Sequence, residues 1–363
     1  MHADRNVPIR IIDANLNRAR EALRVMEEYA RLGLEDAGLS GEIKETRHAL
    51  AKAVADFEDR CRLTTASLIA ARDIVGDVGT EVETVTEYQR SDESHVAAAA
   101  GKRLSEALRA VEEYGKTLDA DFAAAMEKLR YRGYEIERRL ALTRRAKERF
   151  DHVRLYVIIT EAHCRKAWFA TAEAALRGGA DCLQLREKNL PDRELLDRAK
   201  RLAVLCREHE ALFILNDRPD IAMAVGAHGV HLGRDDVSVS AARRILPVSA
   251  IIGVSTHTIE QVEEAAAGAP DYLAVGPMFD TVTKPQSHIA GAATLAAARS
   301  RTALPLVAIG GITAENASAV LTAASCTLCV CRSVTAQPDV EGAALRLREV
   351  IDQPSLHVGT RTP

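Results

Sequence analysis

The sequence predicts an α/β protein, a (β/α)8 TIM barrel preceded by an all-α helical domain, and three observations carry that assignment. Eight short Leu-rich or β-branched runs alternate with Ala-rich helical stretches in the C-terminal part of the chain. The residues ahead of them show helical spacing instead. Most of the apolar runs close on polar residues or on glycine, where a parallel strand buried on both faces should stay apolar. In a barrel those strand ends form the active-site face.

The helical domain is expected over 1–145, with helices from residue 9 to about 140. Between Asp13 and Leu34, the residues Leu16, Ala19, Leu23, Met26 and Ala30 recur at helical spacing with charges between them. Its first helix is repeated: EALRVMEEY, from Glu21 to Tyr29, returns as EALRAVEEY, from Glu106 to Tyr114, an offset of 85. Each copy is followed by another basic amphipathic stretch, one around Arg47 and His48 and the other around Arg130 and Tyr131, which reads as a duplicated helical hairpin. The segment from Arg72 to Glu83, RDIVGDVGTEVE, is expected to be a loop because of its glycines and flanking acids.

The charged stretch 141–152 leads into the barrel, expected over 146–353, and 354–363 reads as a tail. Strand-like runs fall at 155–160, 182–188, 212–217, 229–233, 251–256, 272–279, 305–312 and 327–334. A GxGxxG after the first strand would favour a dinucleotide fold, and there is none.

The second run, CLQLREK, puts Gln184, Arg186 and Lys188 at alternate positions, so their side chains are expected to share one face of the strand. Two cations and an amide donor suit a polyphosphate, with Arg able to bind it through two nitrogens. Asn216 and Asp217 end the third run, while Asp235 and Asp236 follow the fourth. Carboxylates from neighbouring strands suit Mg²⁺, which takes one or two of them and keeps waters and phosphate oxygens. The alternative is helix capping by Asp217 ahead of Pro219 and by Asp235 and Asp236 ahead of the next helix. Ser255 ends the fifth run. GPMFDTVTK supplies Thr281, Thr283 and Lys284 after the sixth, and Gly310 and Gly311 open the turn after the seventh, a common phosphate site in barrels. His231 and His257 lie near strand ends and are read as supporting rather than catalytic. The constellation offers anion cradles and a metal site without an evident nucleophile, which suits departure of diphosphate assisted by Mg²⁺.

With these motifs in place, QLREK, LND, GVHLG with a following DD, IGVSTHT, YLAVGPMFDTVTK and AIGGIT, the region 153–352 resembles thiamine phosphate synthase. The resemblance implies condensation of hydroxymethylpyrimidine diphosphate with a thiazole phosphate to give thiamine phosphate and diphosphate, with Mg²⁺. By motif, Gln184, Arg186, Lys188, Asn216, Ser255 and Lys284 would bind the pyrimidine diphosphate, and Asp217 and Asp236 the metal. Thr281, Thr283 and Gly311 would bind the thiazole phosphate. Arg186 and Lys284 are the expected catalytic residues, and Leu185, Glu187 and Val282 are carried over as neighbours in the same binding stretches. Two positions depart from the family pattern. Arg234 stands where Gln is usual, and Arg332 stands where the eighth strand usually ends in a serine, so Arg332 is expected to grip the thiazole phosphate.

The helical domain resembles the small domain fused ahead of some of these synthases, through DANLNRAREALRVMEEYAR, GDVGTE and GKRLSEALRAVEEYGK. That likeness implies phosphorylation of hydroxymethylpyrimidine phosphate with ATP as co-substrate, which would make the barrel's own substrate. No GxxxxGK[ST] is present, and Gly101-Lys102 precedes Arg103, so a P-loop is excluded. Candidate phosphate contacts are Asn15, Arg18, Arg24, Arg47, Lys102, Arg103 and Arg109, with solvated i, i+4 pairing as the alternative for each. For the domain as a whole the alternative is a scaffold or dimerisation module, which would make the chain a homo-oligomer. A degenerate phosphate-binding regulator is a third reading of the barrel, disfavoured by intact Asp217, Asp236 and Lys284.

Composition excludes other classes. With a net charge of −4 and 4% aromatics there is neither the basic excess nor the stacking material for nucleic acid, and no basic excess for a membrane surface. No run approaches a spanning helix and no signal-peptide core stands at the N-terminus, so a soluble, cytoplasmic protein is expected. The seven cysteines lack zinc-site spacing and are expected to be buried free thiols. Replacing Arg332 with alanine is expected to weaken thiazole phosphate binding while leaving the diphosphate substrate bound normally; equal thiazole phosphate affinity in a titration would overturn that role.

Overall fold

The computed structural model describes residues 6–71, 90–280 and 289–353. The chain divides into two compact units, Met1–Arg144 and Arg145–Pro363.

In the first unit, α1 (Asn6–Glu28) runs on through a π-helical turn (Tyr29–Gly33) to α2 (Ala37–Cys61) and the short α3 (Thr65–Ala70); α4 (Glu93–Gly115) and α5 (Ala120–Asp151) follow. Local chemistry sets the starts of these helices. Asp36 caps α2 by accepting from Leu39 N at 2.9 Å, and Asp92 caps α4 by accepting from His95 N at 2.8 Å. The side chain of Ser94, together with the His95 N–H, lowers the Asp92 carboxyl to about 2. Apolar positions at helical spacing, including Leu16, Leu23, Met26, Leu104 and Val111, form one core, and Phe57 of α2 stacks on Phe122 of α5 at 4.2 Å. The loop expected over 72–83 lies outside the described residues.

The duplicated hairpins reproduce one ion pair. Arg47 of α2 pairs with Glu27 of α1, and Arg130 of α5 pairs with Glu112 of α4 at 2.9 Å. Glu112 lies 85 residues after Glu27, the offset of the repeat.

In the second unit all eight expected strands form, in order, as a closed parallel barrel: β1 (Leu155–Ile159), β2 (Cys182–Leu185), β3 (Leu212–Asn216), β4 (Gly229–Leu232), β5 (Ile251–Thr256), β6 (Tyr272–Val275), β7 (Leu306–Ile309) and β8 (Thr327–Val330). β1 pairs with both β2 and β8, so no strand edge is left open. The connecting helices are α6 (Trp168–Arg177), α7 (Asp192–Glu208), α8 (Pro219–Val225), α9 (Val239–Ile245), α10 (Ile259–Ala267), α11 (Gly291–Arg301), α12 (Ala317–Ala323), α13 (Arg332–Thr335) and α14 (Val340–Ile351).

Period two sorts every strand into two cores. Leu155, Val157, Leu183, Leu185, Phe213 and Leu215 face the helices. Tyr156, Ile158, Cys182, Ile214, Tyr272, Ala274 and Cys329 face the interior, joined by Ala146 and Phe150 from the end of α5. Phe150 stacks on Tyr272 with ring centroids 4.2 Å apart. The cysteines are free; burial pushes the thiols of Cys182 and Cys329 well above their usual range, and those of Cys206 and Cys326 up to about 12.

Gly253 of β5 makes room for the Tyr272 ring, since a Cβ there would sit 1.9 Å from Tyr272 Cζ. Gly253→Ala is therefore expected to destabilise the barrel by at least about 1–3 kcal/mol, the usual range for overpacking, read as a lowered urea midpoint; an unchanged midpoint would contradict this packing.

Candidate active site

At the C-terminal ends of the strands lies a cavity of about 580 Å³. Alternation determines its lining. Gln184 is the last inward position of β2, and it shares the cavity wall with Asn216 of β3, His231 of β4 and Ser255 of β5. β2 stops at Leu185, so Arg186 and Lys188 stand on the following loop rather than on a strand face as the spacing suggested. Both still line the cavity. Arg186 N donates to Ile159 O and Thr160 Oγ1 donates to Arg186 O, which ties the start of the loop to the end of β1.

Two of the expected contact residues direct their side chains elsewhere. Leu185 points outward and is fully buried in the core against the helices. Glu187 turns away from the cavity, accepts from Glu161 N at 2.6 Å and pairs with Arg198 at 3.5 Å. Neither side chain lines the cavity. Thr281, Val282, Thr283 and Lys284 lie outside the described residues.

One wall carries paired acids. Asp217 takes a left-handed backbone conformation, with φ of 64°, while its N–H donates to His231 O. Its carboxylate pairs with Lys188 Nζ at 2.9 Å. Asp236 accepts from Gly233 N at 2.6 Å, and burial, followed by the neighbouring Asp217 carboxylate, raises its carboxyl above the ordinary range. The capping alternative is not met by Asp217, because Arg218 occupies the cap position of α8 and Ser238 that of α9. Asp235 and Arg234 are exposed and do not line the cavity. Among the described residues no group of three or more His, Cys, Asp or Glu side chains could hold a metal. Two neighbouring carboxylates, of which Asp217 raises the proton affinity of Asp236, nevertheless fit Mg²⁺, which needs only one or two and completes its shell with water and phosphate oxygens.

Opposite them, Gly310 and Gly311 hold positive φ angles of 98° and 69° in the turn after β7. Asn316 locks this turn, donating to Gly311 O and accepting from Thr313 N, both at 2.9 Å. Arg332, exposed at the start of α13, reaches the same cavity. Neither Arg186 nor Arg332 pairs with a carboxylate of the described residues, whereas Lys188 does. Sequence reasoning missed Ser333, whose buried hydroxyl also lines the cavity and has no partner among the described residues. Its signal was an Arg-Ser pair displaced by one position from the expected serine.

Beneath the cavity runs a chain of buried polar groups that strand-end reasoning did not find. Gln184 Nε2 donates to Tyr156 Oη at 2.7 Å; Tyr156 and Tyr272 share a hydrogen bond of 3.2 Å. Tyr272 Oη meets His231 Nδ1 at 2.9 Å, and His231 Nε2 meets Ser255 Oγ at 2.8 Å. Burial lowers His231 to about 4, so it is neutral near pH 7, with one ring nitrogen donating and the other accepting. His257 holds Gly276 O through Nδ1 at 2.5 Å.

In the helical unit, Asn15 donates back to Ile11 O at 2.9 Å, and Arg109 is taken up by Glu112 and Glu113 at 2.8 and 2.9 Å. Arg18, Lys102 and Arg103 are exposed. Arg24 and Arg47 instead meet in a second cavity.

Paired acids, a lysine, two guanidiniums without carboxylate partners among the described residues and a glycine turn, gathered on the upper face of the strands, define a (β/α)8-barrel enzyme for anionic substrates. The chain belongs to the thiamine-phosphate synthase family, and it is a transferase. Residues 155–334 match thiamine monophosphate synthase, and residues 10–139 match the ThiD2 family. The thiamine-phosphate synthase of Synechocystis is 41% identical over 325 residues, covering 90% of this chain and 91% of its own length. That of Rhodopirellula baltica is 38% identical over 98% of this chain and 96% of its own. Thiamine phosphate pyrophosphorylase from Pyrococcus furiosus, 37% identical, superposes with a TM-score of 0.52 over 55% of this chain and 95% of its own. No helix among the described residues is long and apolar enough to cross a membrane.

Tyr272→Phe keeps the ring on Phe150 but strands His231 Nδ1 without its hydroxyl partner. The expected cost is about 1–3 kcal/mol, that of an unsatisfied buried polar group, measured by urea unfolding; an unaltered unfolding curve would show that the chain of hydrogen bonds contributes nothing.

Proposed function

We propose that the barrel joins hydroxymethylpyrimidine diphosphate to a thiazole phosphate, giving thiamine phosphate and diphosphate, and that the helical unit phosphorylates hydroxymethylpyrimidine phosphate with ATP to supply the first substrate. The observation that carries the barrel half is the cavity's charge arrangement: Arg186 and Arg332, which pair with no carboxylate of the described residues, line the same cavity as Lys188, Asp217 and Asp236. Such fixed charges favour a reaction in which negative charge separates from carbon.

In this reading Arg186 and Lys188 take the diphosphate oxygens, and Gln184, Asn216 and Ser255 orient the pyrimidine. Asp217 and Asp236 would hold Mg²⁺, which supplies neutralising charge to the diphosphate. The carbon–oxygen bond breaks with its electron pair leaving on the diphosphate, assisted by Lys284. The thiazole nitrogen then gives its lone pair to the resulting pyrimidine methylene cation, forming the carbon–nitrogen bond. Gly311, Thr281, Thr283 and Arg332 hold the thiazole phosphate. No side chain becomes covalently attached.

A nucleophilic reading deserves comparison, because Ser255 and His231 are in hydrogen-bond contact at 2.8 Å. Their environment argues against it. The imidazole is buried, its pKa is lowered to about 4, and its other nitrogen meets a tyrosine hydroxyl rather than a carboxylate. A base so weak and so oriented gives little activation to a serine. The contact instead fixes the direction of the Ser255 hydroxyl.

The kinase half rests on the match of residues 10–139 to the ThiD2 family, joined to a synthase in one chain. The competing reading makes the helical unit a scaffold or dimerisation module. Thiazole phosphate and Mg²⁺ are supplied with either the pyrimidine monophosphate plus ATP or the pyrimidine diphosphate alone, and thiamine phosphate is measured. Product from both mixtures is expected. Product from the diphosphate alone would remove the kinase, and product from neither would remove both activities.

A further inference from the structure

The helical unit contains a cavity of about 340 Å³ lined by Arg20 and Arg24 of α1 and by Arg47, His48, Leu50 and Ala51 of α2. The three arginines and the histidine form its polar wall, and buried Leu50 its floor. Arg20 and Arg24 are one helical turn apart, so they present side by side. We propose that this groove binds the polyphosphate chain of a phosphoryl donor, an assignment that deepens the kinase reading above and rests on it for its biological use.

Charge accounts for the choice of ligand. Arg24 meets Glu28 through Nε at 3.2 Å, Arg47 meets Glu27 through one Nη, and Arg20 donates through Nη1 to the neutral Asn17 at 3.1 Å. Two carboxylates thus face three guanidiniums, leaving a net positive wall. Each guanidinium carries five N–H donors in a planar fork, so these contacts leave donors for phosphate oxygens. A chain of phosphates presents several charged oxygens in a row, and guanidiniums from two helices are spaced to take more than one of them.

The duplication supplies an internal comparison. At the repeat's offset of 85, Ser105 replaces Arg20 and Arg109 replaces Arg24. Arg130 takes over the pairing role of Arg47, and Tyr131 follows it where His48 follows Arg47. In this second hairpin Arg130 is used internally, whereas Arg109 stays exposed and repeats with Glu113 the pairing of Arg24 with Glu28. Arg130 is buried, bonds Glu112 and Tyr134, and lies 4.7 Å from the Tyr131 ring centre; Arg109 is held by Glu112 and Glu113. The second copy thus buries a guanidinium that braces the fold, and the first lines an opening with three. Binding belongs to the first.

The test uses the full chain, with Arg186 and Lys188 replaced by alanine to weaken anion binding in the barrel, and titrates tripolyphosphate and ATP separately. Arg20→Ala/Arg24→Ala, at exposed positions, is expected to weaken tripolyphosphate binding at least tenfold, while Arg109→Ala changes it less than twofold. A matching loss for ATP identifies the phosphates as the shared contact; a loss for tripolyphosphate alone places the nucleotide elsewhere and keeps the groove as an inorganic polyphosphate site. Binding within twofold of the parent in Arg20→Ala/Arg24→Ala, or no binding by the parent, overturns the proposal. An unchanged thermal midpoint excludes unfolding as the cause of a loss. If the parent sequence makes no product from pyrimidine monophosphate and ATP, yet tripolyphosphate binding still depends on Arg20 and Arg24, the groove stands and the kinase reading falls.

Discussion

In a closed parallel barrel every strand residue must face either the interior or the surrounding helices, and the rest of this unit depends on that constraint. It sends Leu183, Leu185, Phe213 and Leu215 outward and Tyr156, Gln184, Ile214 and Tyr272 inward. The interior column is apolar where Phe150 and Cys329 pack and polar where Gln184, Tyr156, Tyr272, His231 and Ser255 join hands. Such a chain is tolerable inside a barrel because its members satisfy one another in series. Gln184 and Ser255, on opposite sides of the cavity floor, are thereby oriented by one connected structure.

Electrostatics divides the cavity above that floor. Lys188 spends its charge on Asp217, and Asp217 in turn makes Asp236 harder to ionise. A small, hard cation with bound phosphate would suit that wall. Arg186 and Arg332 have no such compensation among the described residues and face the same cavity. A single cavity therefore contains a region suited to a metal-bound diphosphate and another suited to a simple phosphate ester.

The eight strands were legible because apolar runs of strand length alternated regularly with helical stretches, and the polar residues closing them pointed to the face that bears the cavity. Finer features needed coordinates. Spacing placed Gln184, Arg186 and Lys188 on one strand face, yet β2 ends at Leu185 and a loop brings the two cations to the cavity. Carrying whole motif stretches across swept in Leu185 and Glu187, whose side chains the pleat and Arg198 direct elsewhere. Tyr156 and Tyr272 were unreadable as polar partners because each lies within an apolar run, and only closure of the barrel brings their hydroxyls from β1 and β6 to 3.2 Å. In the helical unit the repeat was visible, but that the second copy buries Arg130 was not, since Glu112 and Tyr134 act on it through space.

The fit of Tyr272 over Gly253 also bears on how this sequence can change over evolutionary time. A side chain at 253 requires the ring at 272 to shrink or swing away. A smaller residue at 272 would forfeit the stack on Phe150 and the hydroxyl shared with His231 and Tyr156. Each single step therefore passes through a weakened intermediate, and the path between two workable barrels needs several coordinated replacements. A lineage that has settled on this glycine and tyrosine is held there by the route out rather than by any special merit of either residue alone.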